Sequence, residues 1–267
     1  MFSKILIGRY LPGNSLIHRL DPRVKLVLSI AFIFMIFLAT NWPGYLLATA
    51  MTLLVVNLTR LGLGVFIRGV RPLIFLMLFT TLLQVLFVTT GHVWWAWGWL
   101  KITTDGLVNG GAIFIRFMLI IMFSTVLTLT TPPLDIADAL ETLLRPLQKV
   151  KVPVAELALM VSIALRFVPT LLDEAEMIIN AQRARGVLFN EGNLIKRAKA
   201  FIPVLIPLFI NAIKRAIELG DAMEVRGYRG DVERSKYRLQ TWQRIDTWAV
   251  LVFIIFAILL FNFYFVF

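Results

Sequence analysis

The chain has no cysteine and only two histidines, His18 and His92. Disulfides, thiolate metal sites and a cysteine nucleophile are therefore excluded. Charge is scarce too: only 16% of the 267 residues are Asp, Glu, Lys or Arg, against about 25% in soluble domains. No G-x-x-x-x-G-K-[ST] run occurs, so there is no phosphate loop of that type, and any ATP-driven work must draw its energy from another protein. The opening stretch MFSKILIGRYLPGNSLIHRL lacks a continuous apolar core and a small-residue cleavage site, and it does not read as a secretory signal.

What the chain does have is apolar runs. Hydrophobic residues make up 59% of it, and its mean hydropathy is +0.81. A bilayer core of about 30 Å asks for about 20 consecutive apolar residues per helix. Several runs approach that length and are continuous rather than alternating, which argues against a membrane β-barrel. The predicted class is an all-α integral membrane protein with about five transmembrane helices and a cytoplasmic domain of three amphipathic helices. The net charge of +11 suits cytoplasmic Lys and Arg that set orientation better than it suits nucleic acid, because no nucleic-acid motif accompanies it.

The first helix is expected from Asp21 as N-cap and Pro22 at the first helical position, with Val24 to Thr40 as its apolar run. Asn41-Trp42-Pro43-Gly44 reads as a turn, followed by Tyr45 to Leu58. Pro72 to Thr90 and Leu107 to Thr131 are two further spans, the second carrying Arg116, and Trp248 to Phe267 is the last. Between them, the segment with Trp94, Trp95, Trp97 and Trp99 reads as an interfacial aromatic belt. Lys4, Arg9, Arg19, Arg23 and Lys25 precede or open the first helix, and Arg60, Arg68 and Arg71 lie between the second and third. The loops near 41 and 91–106 hold Lys101 as their only Lys or Arg. This bias predicts a cytoplasmic N-terminus and a return to the cytoplasm near residue 132.

The expected division is a four-helix membrane domain at 1–131, cytoplasmic helices at 132–243 and a final transmembrane helix at 244–267. Residues 132–246 carry 17 of the 27 Lys and Arg and 14 of the 16 acids. Two apolar runs there, 154–172 and 201–213, could be mistaken for spans. The second is short, and the first contains Glu156 and Arg166, where a charge near the centre of a span costs about 2.5–3.5 kcal/mol. If both crossed, the loop between them would place Arg183, Arg185, Lys196, Arg197 and Lys199 outside, against the bias of every other loop. Val154, Leu157, Ala158, Val161, Leu165, Val168, Leu172, Ala175 and Ile179 instead form one helical stripe. The reading is three amphipathic helices at about 134–148, 154–186 and 194–227, the longer two of about 50 Å. Pro169, Pro203 and Pro207 are expected to kink them.

The two long helices end alike. At an offset of 41, Asn180 faces Asp221, Ala181 faces Ala222, Arg185 faces Arg226 and Gly186 faces Gly227. Arg-Gly is a good helix stop, because glycine accepts the left-handed cap and arginine complements the helix dipole. The dipeptide occurs four times and alone is weak evidence. Two matched ends on two amphipathic helices of similar length suggest two equivalent docking points.

Together with GRYLPGNSLIHRLDPRVKL near the N-terminus, AQRARG at 181–186 and AMEVRGY at 222–228, this order of elements resembles the transmembrane T component of energy-coupling factor transporters, a family of ABC-type importers. The resemblance covers nearly the whole chain. It implies coupling helices whose X-Arg-Gly ends dock on two ATP-binding cassette ATPase subunits, here Ala184, Arg185 and Gly186, and Val225, Arg226 and Gly227. It also implies a small substrate-binding membrane subunit, the S component, on the other face of those helices, and uptake of vitamins or transition-metal ions across a bacterial or archaeal plasma membrane. This chain would then be non-catalytic and hold no cofactor, ATP and Mg being bound by the partner ATPases.

Other residues carry weaker signals. Arg116 could line a pathway or pair with a neighbouring carbonyl. Arg166 suits a tether between helices or a headgroup contact. His18 and His92 are too far apart to suggest a metal pair, and Asp173, Glu174 and Glu176 resemble a solvated face more than an acid–base pair. The rival readings are a conventional ABC permease, expected to show one coupling loop, and an integral-membrane lipid enzyme, which would need a convergent polar site.

Overall fold

The computed structural model describes residues 10–97, 100–189, 191–229 and 240–266. Lys4, Arg9, Trp99, Gly230 and Phe267, which belong to the sequence reading, lie outside the described residues. The elements in order are α1 (Leu16–Arg19), α2 (Pro22–Met35), α3 (Trp42–Leu58), α4 (Leu63–Val70), α5 (Ile74–Phe87), β1 (Val93–Trp97), β2 (Leu100–Thr103), α6 (Thr104–Thr130), α7 (Pro133–Leu144), α8 (Val154–Ala184), α9 (Leu194–Ala200), α10 (Ile202–Val225) and α11 (Arg244–Val266). Short 3-10 turns extend α2 to Leu38, join α4 to α5 and follow α7 to Val150.

Several boundaries differ from the sequence reading. The predicted turn at 41–44 is the first turn of α3, because Pro43 sits where its missing N–H costs nothing. Part of the expected 60–71 loop is α4, whose Phe66 and Val70 are buried. The aromatic segment includes an antiparallel hairpin of β1 and β2, with Val93 opposite Thr103, in keeping with its β-branched and aromatic residues. The predicted helix at 134–148 stops at Leu144 and continues as a 3-10 segment, Arg145–Val150, where Pro146 interrupts regular α hydrogen bonding. The predicted helix at 194–227 is broken at Phe201, two residues before Pro203, whereas Pro169 and Pro207 lie inside α8 and α10.

Among the described residues, five helices are long and apolar enough to cross a membrane: 63–87, 104–130, 154–184, 195–225 and 244–265. The all-α membrane class therefore holds. By length and composition, α8 and α10, expected to be cytoplasmic, meet the criterion, while α2 and α3, expected to be spans, have 14 and 17 residues and do not.

The chain divides into two compact units. The larger comprises residues 10–139 and 240–266. Its core runs between α2, α3, α6 and α11, where Phe32 lies flat on Phe123 with ring centroids 4.1 Å apart. A second cluster gathers Phe66, Val70, Met77 and Val126 from α4, α5 and α6. Several hydroxyls in these apolar helices bond back along the helix, as Thr52 does to the Ala48 carbonyl and Thr130 to that of Val126, which satisfies their donors without water. Buried Lys25 donates from Nζ to the carbonyls of His18 at 3.1 Å and Thr130 at 3.2 Å. It thus offsets the partial negative charge at the carbonyl ends of α1 and α6. These bonds, and one from the Leu11 N–H to the Leu129 carbonyl, place the start of α2 beside the end of α6.

The smaller unit spans residues 140–229 among those described. Its centre is the pairing of α8 with α10. Val204 packs beside Ile179, and further along α10 Asn211 donates to Glu174 while Arg215 pairs with the same carboxylate at 3.6 Å. The Arg215 guanidinium also lies 5.9 Å from the Phe167 ring. The start of α10 therefore meets the end of α8, and the two run antiparallel.

Candidate functional site

Both Arg-Gly ends close with the same hydrogen-bond pattern. At the end of α8, the Gly186 N–H donates to the Arg183 carbonyl at 2.9 Å and the Val187 N–H to that of Gln182 at 3.0 Å. At the end of α10, the Gly227 N–H donates to the Glu224 carbonyl at 2.8 Å and the Tyr228 N–H to that of Met223 at 2.9 Å. These are two Schellman caps in register at the offset of 41. Gly186 and Gly227 have φ of +88° and +72°. A Cβ at either would meet nothing within 4 Å, so the backbone conformation alone, not crowding, calls for glycine.

The cap fixes the arginine. Arg185 and Arg226 are each the last residue before the left-handed turn, so both side chains leave the helix end at the same point of the motif. Both are exposed, and neither guanidinium has a hydrogen-bond or ion-pair partner among the described residues. The preceding Ala184 and Val225 are exposed too, Val225 at 88% of its surface. Each end therefore offers a cationic fork of N–H donors beside an apolar side chain at the carbonyl end of a helix. That chemistry fits a partner's carboxylates and backbone carbonyls.

The two ends are far apart. Val204 packs near the end of α8. With a helical rise of about 1.5 Å per residue, about 33 Å of α10 separates Val204 from Arg226. The ends are also supported differently. Behind the first cap the chain folds back, burying Phe189 against Ile179 and Val204. The Phe189 ring lies 5.2 Å from that of Phe201, and the Arg183 guanidinium lies 5.9 Å from it. Sequence reasoning missed this brace. Phe189 stands in a polar stretch, and that contrast was the one signal available.

Away from these ends, α8 and α10 leave apolar surface uncovered. Leu205, Ile206, Phe209, Ile210, Ile213 and Ile217 of α10 are exposed, Phe209 at 68%, as are Leu157, Met160 and Val161 of α8. Of the predicted stripe on α8, Val154 and Ile179 are buried, Leu157 and Val161 are exposed, and the other five residues are half-buried. Exposed apolar faces of this extent mark contact with protein or membrane.

The remaining candidates fall elsewhere. Arg116 donates to the Tyr45 hydroxyl at 2.7 Å and the Ala39 carbonyl at 3.2 Å, with the Phe37 ring at 5.2 Å. It ties α6 to the corner between α2 and α3. Arg166 and Asp173 are exposed, whereas Glu174 is engaged by α10 and so is not part of a solvated face. His18 is held by Ser15 and by the Leu11 carbonyl, and His92 pairs with Thr104 through its backbone. Asp21 caps α2 as expected, accepting from the Arg23 N–H at 2.8 Å.

Comparison with known proteins decides the family. The family model described as cobalt transport protein matches residues 13–238. The energy-coupling factor transporter transmembrane protein EcfT of Lacticaseibacillus paracasei is 56% identical over 243 residues, covering 91% of this chain and 92% of that relative. The chain belongs to the energy-coupling factor transporter transmembrane protein family. EcfT of Lactococcus lactis subsp. cremoris is 54% identical over 256 residues, 96% of each chain. EcfT of Streptococcus equi subsp. equi is 53% identical over 258 residues, 97% of this chain and 96% of that relative. Members of this family are the transmembrane components of energy-coupling factor transporters, and this one is a multi-pass membrane protein.

Proposed function

We propose that this EcfT-family chain is the non-catalytic coupling subunit of an ATP-driven importer. The observation that carries the reading is the repetition of one cap, with one exposed arginine, at two well-separated helix ends. Each end engages one of two ATP-binding cassette ATPases, which bind ATP and Mg and hydrolyse the nucleotide. Ala184, Arg185 and Gly186 form one contact, and Val225, Arg226 and Gly227 the other. A rigid helix transmits displacement of its tip along its length, so movement of the ATPases shifts α8 and α10. Their exposed apolar faces hold a small substrate-binding membrane subunit and reorient it. A smooth apolar face admits exchange among such subunits, because few directional bonds restrict the partner. The cargo class is a vitamin or a transition-metal ion, imported across a bacterial or archaeal plasma membrane. The N-terminus and residues 132–243 lie on the cytoplasmic side, as the Lys and Arg bias favours.

An interfacial arginine at such a contact contributes about 2 kcal/mol or more to binding on truncation, and reversal to glutamate adds repulsion. Arg185→Glu and Arg226→Glu are each expected to abolish ATP-driven uptake in the complete complex. Uptake and ATPase co-purification at wild-type level in both variants would overturn the reading.

A further inference from the structure

The chain leaves the larger unit after residue 139 and returns to it at Gln240. A set of polar side chains holds both of these points to the first turns of α2 and α11. Asp246 is fully buried, and both of its oxygens are used. Oδ2 accepts from the Gln243 N–H at 2.7 Å, capping α11, and Oδ1 accepts from the Asp21 N–H at 2.7 Å. Asp21 in turn caps α2 and holds the Arg23 guanidinium through Nε at 3.1 Å and Nη2 at 2.9 Å. Arg23 Nη2 reaches on to the Gln240 carbonyl, and the Gln240 side chain donates to the Asp135 carbonyl at 3.3 Å, in the first turn of α7. Residues more than 200 positions apart in sequence thus form one continuous chain of bonds.

We infer that Asp21, Arg23, Gln240 and Asp246 form a clasp that passes displacement of residues 140–239 to α2 and α11 together. The inference rests on the proposed coupling role. Its physical basis is the route of the chain. Residues 140–239 connect covalently to the larger unit only at α7 and at Gln240. Arg23 and the Gln240 side chain link those two connections to one another and to the start of α2. The charge-assisted bonds are short and shielded, so they are stiffer than a solvated loop. Asp246 carries the same displacement to α11 through backbone N–H groups at two helix starts. Without the clasp, α7 and the segment at Gln240 could shift independently and the helix starts would not follow.

These are positioning residues, and their loss should separate ATP hydrolysis from transport. Arg23→Lys keeps the charge and one bond to Asp21 but lacks the planar fork that also reaches Gln240. The test uses the complete complex in lipid vesicles, with labelled riboflavin, folate, biotin and cobalt ion offered in turn and the probe that wild type accumulates used thereafter. Arg23→Lys is expected to assemble and hydrolyse ATP like wild type, while probe accumulated per ATP hydrolysed falls about threefold or more, in the range of couplings carried by such networks. Gln240→Ala, which removes only the link to α7, is expected to lower the same ratio and serves if Arg23→Lys fails to assemble. An unchanged ratio in an assembled variant, or equal falls in hydrolysis and accumulation, would overturn the clasp. Arg185→Glu run in parallel separates the two ideas: normal uptake in it strikes the docking reading, whereas a normal ratio in Arg23→Lys strikes the clasp alone.

Discussion

α6 and α8 are both long apolar helices, of 27 and 31 residues, and both meet the length and composition of a membrane span. Yet α6 buries eight residues within the chain, and α8 buries two, Val154 and Ile179. The polar groups differ as well. The arginine inside α6 is taken up by Tyr45 and Ala39, whereas Arg166 of α8 is exposed. Hydrophobic composition alone therefore does not say what a helix is for. α6 uses its apolar residues to build the core of the larger unit, whereas α8 buries only Val154 and Ile179 and leaves Leu157, Met160, Val161 and Met177 exposed.

The contrast can be broken by substitution. Phe123→Ala in α6 removes the ring stacked on Phe32. It is expected to cost about 3–5 kcal/mol, read as a large fall in the thermal midpoint of the purified protein in detergent. Phe189→Ala should cost less, because its cluster is small. The expected loss is about 2 kcal/mol. Hydrogen exchange should rise around residues 178–204 while the cap at Gly227 keeps its protection. An equal rise at both ends would contradict the separate support of the two caps. Gly186→Ala and Gly227→Ala force a Cβ into the left-handed region at about 1 kcal/mol each, with like shifts in midpoint, since neither site is crowded. Met160 in α8 is 63% exposed. Met160→Ala should therefore change stability by less than about 0.5 kcal/mol. On the proposed coupling role, the same variant should lower retention of a substrate-binding membrane subunit in a pull-down. A large stability loss would mean that α8 is packed within the chain as α6 is.

The two Arg-Gly ends show how far local sequence reaches. A Schellman cap is a local structure: glycine at the left-handed position and the preceding helical turn suffice to form it, so both caps are legible from the dipeptide and its matched context. The same holds for Asp21 as the cap of α2. The hairpin of β1 and β2 is less legible, because its tryptophans suit a membrane interface as well as a strand. The break before α10 reads as a kink in the sequence, because proline near the first turn either bends a helix or begins a new one, and local sequence does not choose between them.

By itself the sequence determined the helical membrane class, the two cap positions and the concentration of charge between residues 132 and 246, because each depends on composition or on neighbours within a turn. Only the tertiary structure decided which apolar faces are covered, that Phe189 braces one cap, and that Asp246 meets Asp21. Those outcomes depend on which distant residues the fold brings together. A buried carboxylate needs donors, and nothing within the TWQRID stretch reveals that one of them comes from 225 positions away.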